Sequence, residues 1–283
     1  MRPAQVDYHR PSSVAEAVQM LGNGDAKALA GGHSLIPAMN LRLAQPGTLV
    51  DIGRLDELKG IHVSGSMLSI GALSTHAQIA ASADVKTHAP ALAQAASIVG
   101  DPQVRNWGTL GGNIAHADPA SDPPTVILAY GATIHTQSAS GARTIHANDF
   151  FLDLFTTALD AGELITRVEI PSQAGKKSAY VKMAHPASRY AVVGVCVVLG
   201  VEGGRCSSAT VAIGGAVPKA TRSAGAEAAL TGSSLDSAAL DAAAQALMND
   251  ISGDVMGDIY AAADYRKAMA GVYLKRAVKA ALG

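Results

Sequence analysis

The sequence predicts an α+β chain in two parts, on three observations. An early strand–turn–helix–strand unit over residues 27–52 is followed by short strands and helices as far as Pro171. Beyond the polar, glycine-containing stretch 172–177 come three strand-like runs and then alanine-rich helices. Two glycine-paired turns, Ala30-Gly31-Gly32-His33-Ser34-Leu35 and Thr109-Leu110-Gly111-Gly112-Asn113, stand where apolar runs give way to loops.

Each element follows from a local signal. Ser13-Val14-Ala15-Glu16 is a capping box, and Val14, Ala17, Val18 and Leu21 share one helical face. Gly22 and Gly24 end that helix. Residues 27–30 form a short buried strand, 35–43 a helix interrupted near Pro37, and 49–52 a second strand. The first glycine pair thus sits at a strand's C-terminal end, where parallel sheets bind ligands. Residues 68–71 are a strand, and Ser74 caps a helix over 75–82. Pro90 opens a helix through Val99 that Gly100 stops. Residues 119–129 are helical, with Gly131 closing them, and 133–137 pairs with 143–146 as a hairpin. Residues 164–170 form a strand ended by Pro171, and 172–177 is the expected boundary between regions 1–175 and 176–283. The second region holds strands at 178–183, 191–201 and 209–213, then helices at about 222–230, 236–248 and 264–282.

Composition narrows the function. The 283 residues suffice for one large or two moderate domains. A net charge of −1 supplies no basic field for nucleic acid. The longest charge-free apolar run, 190–201, is well short of the roughly 18 residues of a membrane span. The opening residues lack the apolar stretch of an export signal, so the expected location is cytoplasmic. Two cysteines, Cys196 and Cys206, cannot ligate an iron–sulfur cluster or complete an all-cysteine zinc site. Redox work would need an organic cofactor or a partner chain.

The glycine pairs carry the chemistry. Glycine admits φ > 0 and lets backbone N–H groups approach a ligand with no Cβ between. Two such corners, each with a hydroxyl residue (Ser34, Thr109), suit a dianion such as a dinucleotide pyrophosphate. The Rossmann G-x-G-x-x-G, the P-loop and H-E-x-x-H are all missing. Gly32-His33-Ser34-Leu35-Ile36 approaches the hydrolase elbow G-x-S-x-G, but Ile36 fills the position that needs a small residue.

A family resemblance enters on long, collinear segments. Residues 30–37, followed by Asn40-Leu41-Arg42-Leu43 and Val50-Asp51-Ile52, resemble the first flavin-binding segment of the FAD-binding medium subunit of molybdenum hydroxylases, the aerobic carbon monoxide dehydrogenase and xanthine dehydrogenase family. Residues 109–120 resemble its second segment; Gly162-Glu163-Leu164-Ile165, Ile170-Pro171 and Tyr180-Val181-Lys182 match in order. The resemblance implies a two-part FAD-binding domain of the p-cresol methylhydroxylase superfamily over 1–175, and the flavoprotein C-terminal domain, a small antiparallel sheet plus helices, over 176–283. It implies noncovalent FAD held by Ala30, Gly31, Gly32, His33, Ser34 and Leu35, and by Thr109, Leu110, Gly111, Gly112 and Asn113. His116, Asp118, Leu164 and Lys182 are implied as further contacts, and Tyr190 is expected beside the isoalloxazine ring. Ser188-Arg189 precede Tyr190 where the family often reads Gly-Asp.

The function so implied is an electron-transfer subunit without catalytic or metal-binding residues of its own. It would take single electrons from the [2Fe–2S] clusters of a small partner subunit and pass them to an external acceptor. A large molybdopterin subunit would choose the substrate, in a dimer of heterotrimers. Two alternatives stand beside it: a self-contained FAD oxidoreductase of the same superfamily, and an α/β-hydrolase with Ser34 as nucleophile.

Overall fold

The computed structural model describes residues 2–283, and mixes four sheets with helices. The N-terminal sheet is parallel: Asp7–His9 and Ala26–Leu29 flank Thr48–Asp51. Ser13 caps the helix Val14–Leu21, accepting from the Glu16 N–H, and the buried face is Val14, Ala17, Val18 and Leu21, as the periodicity predicts.

The second sheet is antiparallel, in the order Ile61–Ser64, Met67–Gly71, Leu164–Pro171, Thr133–Ser138 and Gly141–His146. Its last two strands are the expected hairpin, in register from Thr133–His146 to Ser138–Gly141. The third sheet pairs Lys177–Ala184, Ala191–Glu202, Arg205–Gly214 and Thr221–Arg222. The helices Ala224–Leu230, Ser237–Asp250 and Ala263–Leu282 pack on it around a core that includes Val195, Val197, Leu199, Leu247 and Leu274.

The largest core crosses the 172–177 stretch. It joins Leu68, Ile70, Leu92, Ile127 and Phe150 to Tyr180, Cys196 and Val198 of the later sheet. Hydrogen bonds cross too, from the Tyr180 N–H to Gln94 Oε1 (3.0 Å) and from the Gly215 N–H to the Pro119 carbonyl (2.8 Å).

Several local expectations shift. The helix after the third sequence strand begins at His76, capped by Thr75 rather than Ser74, because Gln78 closes a capping box on Thr75. The helix expected from 119 starts at Asp122: Asp118 Oδ1 takes the Ala120 N–H and bends the chain first. Thr221–Arg222 is a strand, so the helix expected from 222 starts at Ala224 behind Ser223. The strand expected over 209–213 runs the length of Arg205–Gly214. The short helices Ala83–His88 and Pro102–Trp107 and the strands Asp7–His9 and Ile61–Ser64 carry too few residues to show a period.

The largest local correction concerns the second glycine pair. Thr109 to Asn113 is not a left-handed turn but the cap and first turn of a helix, Leu110–His116. Gly111 is needed there for close approach, since a Cβ would lie 2.6 Å from Ala72 Cβ and 2.9 Å from the Ala72 carbonyl oxygen. Gly111→Ala is expected to cost about 1–3 kcal/mol by overpacking. The melting temperature should fall alike with and without ligand.

Candidate functional site

A crevice of about 870 Å³ lies between the first two sheets and the loop before Ala191. That volume is in the upper part of the ~300–1,000 Å³ range of ligand sites. Its walls come from residues 26–35, 108–116, 120–122, 155–165 and 188–190.

The two glycine segments meet there. A Cβ on Gly31 would stand 2.1 Å from the Trp107 carbonyl oxygen and 2.9 Å from Gly108 Cα, so only glycine lets these backbones touch. Gly32 adopts φ = 70°, the left-handed region. The second segment is in turn laid along 72–76: the Leu110 N–H donates to the Ser74 carbonyl, the Gly111 N–H to Ala72, and the His76 N–H to Gly108.

The corners are chemically unlike, contrary to the expectation of two N–H-rich turns. Among the described residues, the N–H groups of Gly31, Gly32, His33, Ser34 and Leu35 donate to nothing else in the chain. They form a row of free donors at a strand end, suited to an anion. In the second segment the N–H groups of Leu110, Gly111, Gly112 and Asn113 are all engaged. That corner offers side chains instead. Asn113 donates to Ser121 Oγ (3.3 Å) while its own buried Oδ1 has no partner.

Among the other anticipated residues, His116 lines the crevice and packs on Phe155 with ring centroids 5.2 Å apart. Leu164 and Tyr190 line it too, Leu164 nearly buried and Tyr190 44% exposed. Burial raises the Tyr190 phenol above its usual range, and the Asp118 and Asp122 charges add to that. Leu110, Asp118 and Lys182 are not on the wall. Leu110 is wholly buried, and Asp118 holds its own turn. Lys182, implied as a cofactor contact, gives its ammonium to Asp122 Oδ2 (2.7 Å), the Arg189 carbonyl (2.7 Å) and the Ile98 carbonyl (3.0 Å).

Sequence reasoning missed the residue facing Lys182. Asp122 is 3% exposed and accepts from the Tyr180 hydroxyl at 2.6 Å. Burial pushes its carboxyl above the ordinary range, and Lys182 and Tyr180 pull it back. The signal was an acid opening an apolar Pro-Pro helix, which alone reads as a first-turn charge.

His76 was also missed. It lines the crevice at 2% exposure, with Nδ1 unpartnered. Burial, with Arg105 and His33 nearby, lowers its pKa to about 4. An unfolded histidine takes a proton below about 6.5 and this one only near 4, so the folded state loses stability as pH falls across that window. The imidazole is expected to stay neutral at pH 5 by NMR, and His76→Phe to flatten that part of the pH–stability curve.

The hydrolase reading of Ser34 finds no support in this geometry. Its hydroxyl caps nothing, and among the described residues no imidazole or carboxylate hydrogen-bonds to it. No group of three or more His, Cys, Asp or Glu among the described residues could hold a metal ion, and no described helix is long and apolar enough to cross a membrane.

The fold is that of a flavoprotein subunit, as similarity to known proteins shows. Residues 4–173 match the family described as the FAD binding domain in molybdopterin dehydrogenase, and 178–281 match the CO dehydrogenase flavoprotein C-terminal domain. The chain belongs to this family: it is the FAD-binding subunit type of molybdenum hydroxylases, heteromeric oxidoreductases. It is 41% identical to the carbon monoxide dehydrogenase medium chain of Hydrogenophaga pseudoflava, over 99% of this chain and 98% of that one. It is 37% identical to the nicotine 6-hydroxylase medium subunit of Paenarthrobacter nicotinovorans, over 98% of each. Among solved structures it resembles the Hydrogenophaga pseudoflava carbon monoxide dehydrogenase lacking the Mo-pyranopterin moiety (TM-score 0.96, 42% identity, 100% of this chain and 99% of that chain). It also resembles quinoline 2-oxidoreductase from Pseudomonas putida 86 (TM-score 0.94, 34% identity, 100% and 99%).

Proposed function

We propose that this chain holds FAD noncovalently in the crevice and is the electron outlet of a cytoplasmic molybdenum hydroxylase complex. One observation carries the placement: the row of free N–H groups at Gly31 to Leu35, next to polar groups that lack partners of their own. A diphosphate supplies the acceptors that this row needs. The orphaned Asn113 Oδ1, with Ser121 and Thr109 adjacent, would accept from the cofactor's hydroxyl groups. Tyr190 and Leu164 would hold the ring, and His116 with Phe155 closes the wall beside the second segment. Bound there, the flavin supplies uptake and release of electrons singly or in pairs.

The chain's own residues bind, orient and screen; among the described residues of the crevice wall no histidine–carboxylate pair is hydrogen-bonded. By analogy with the family, a small iron–sulfur subunit would deliver the electrons, and a large molybdopterin subunit would choose the substrate, in a dimer of heterotrimers. We divide the chain at 175/176 into FAD-binding and C-terminal domains on the compositional break there. Mixing purified chain with FAD tests the reading. Bound flavin absorbing at about 450 nm, with no turnover until partner subunits are added, is the expected outcome. Protein that stays colourless at saturating FAD, or that turns over a substrate alone, would overturn it.

A further inference from the structure

The loop 185–190 brings Tyr190 to the crevice; the His185 ring packs on Tyr260 with centroids 4.3 Å apart, yet the loop's backbone is hydrogen-bonded almost wholly within the loop. The Ala187 and Ser188 N–H groups donate to His185 Nδ1, the Arg189 N–H to the His185 carbonyl, and the His185 N–H to the Tyr190 carbonyl. Arg189 adopts φ = 62°, a conformation that costs a side-chain-bearing residue free energy. Among the described residues, one hydrogen bond ties this loop's backbone to the buried interior, from Lys182 Nζ to the Arg189 carbonyl (2.7 Å).

Lys182 is itself pinned. Its side chain is 3% exposed, and its other partners are Asp122 Oδ2 and the Ile98 carbonyl, beside the crevice wall at Val99 and Gly100. Tyr180 holds the second Asp122 oxygen. A buried ammonium with three oxygen acceptors in place cannot swing out to a ligand without leaving Asp122 uncompensated.

We propose that Lys182 is a positioning residue. Through its bond to the Arg189 carbonyl it holds the strained loop, and so Tyr190, against the crevice, rather than touching the cofactor itself. The inference rests on the reading that FAD occupies the crevice with Tyr190 at its ring. The position of Tyr190 then depends on a salt bridge made one layer deeper, between Lys182 on a third-sheet strand and Asp122 at the start of the helix Asp122–Ala129.

Two measurements on the full chain test this. An aromatic side chain stacked on a flavin quenches its emission, so Tyr190→Ala should brighten bound FAD. Lys182→Met should brighten it too, and should add nothing in the Tyr190→Ala background. Independently of flavin, trypsin should cut after Arg189 about tenfold faster in Lys182→Met, the effect of about 1.4 kcal/mol less local stability. Should Lys182→Met fail to fold, Asp122→Asn/Lys182→Met removes both charges and carries the same expectations. Wild-type emission and cleavage in the variant that folds would overturn the proposal while leaving the FAD placement standing, provided Tyr190→Ala brightens. An unchanged Tyr190→Ala would overturn both the proposal and the placement of Tyr190.

Discussion

Gly31→Val is expected to abolish FAD retention, lowering affinity at least about a hundredfold. The cause is geometric. Even the first atom of the new side chain would stand 2.1 Å from the Trp107 carbonyl oxygen, which belongs to the backbone and cannot rotate away. The 30–35 corner must then leave the 107–109 segment, and its donors move with it. Losing two hydrogen bonds to a charged group at about 1.5–3 kcal/mol each amounts to a factor of about 10² to 10⁴. Gly32→Val should act similarly by another route, because φ = 70° disfavours any branched side chain. Gly24→Val is the control: φ = 77° strains it as much, but it has nothing within 4 Å of its Cβ and lies off the crevice wall. Equilibrium dialysis of FAD should show it binding like the wild type. Full flavin occupancy in Gly31→Val would remove the convergence of the two corners from the account.

The second large effect is on acid stability. Glu163 precedes Leu164 of the crevice wall, and its side chain is 2% exposed. Burial alone would raise its carboxyl, but hydrogen bonds from Arg143, Thr136 and the Asp160 N–H outweigh that and hold it at about 2. A carboxylate depressed in the folded state stabilises the fold fully above its unfolded value near 4.5, and that contribution disappears as pH falls toward 2. The shift corresponds to an order of 3 kcal/mol. Glu163→Gln should therefore lower stability near neutrality and make unfolding less steeply pH-dependent between 4.5 and 2, measured by urea titration at several pH values. The same acid organises the crevice rim: Arg143 also donates to the Ala158 carbonyl (2.8 Å), and Gly162 rests against the backbone of Gly22. FAD affinity should weaken along with stability. A variant with unchanged acid sensitivity would show that the hydrogen bonds merely accompany the fold.

Much of the fold was legible because its signals are local. A serine accepting from an N–H three residues on, a two-residue alternation closed by Ser-Gly, or an apolar stripe at 14, 17, 18 and 21 acts within a few residues. The long collinear segments made the FAD-binding subunit family legible as well, and residues 4–173 and 178–281 match its two domains. What stayed hidden depends on partners remote in the chain. That Gly111 lies hard against Ala72, and that the second corner's N–H groups are already used, follows only once residues 72–76 lie alongside. Asp122 and Lys182 are sixty residues apart, and neither announces the other.

The amino-acid order alone determined where the backbone needs glycine and where helices start, since steric freedom and capping are settled by neighbours along the chain. Tertiary structure alone decided which of those corners keeps free donors, and which buried charges are spent on each other. A hydrogen-bonding group is free or engaged only relative to what folding carries up to it.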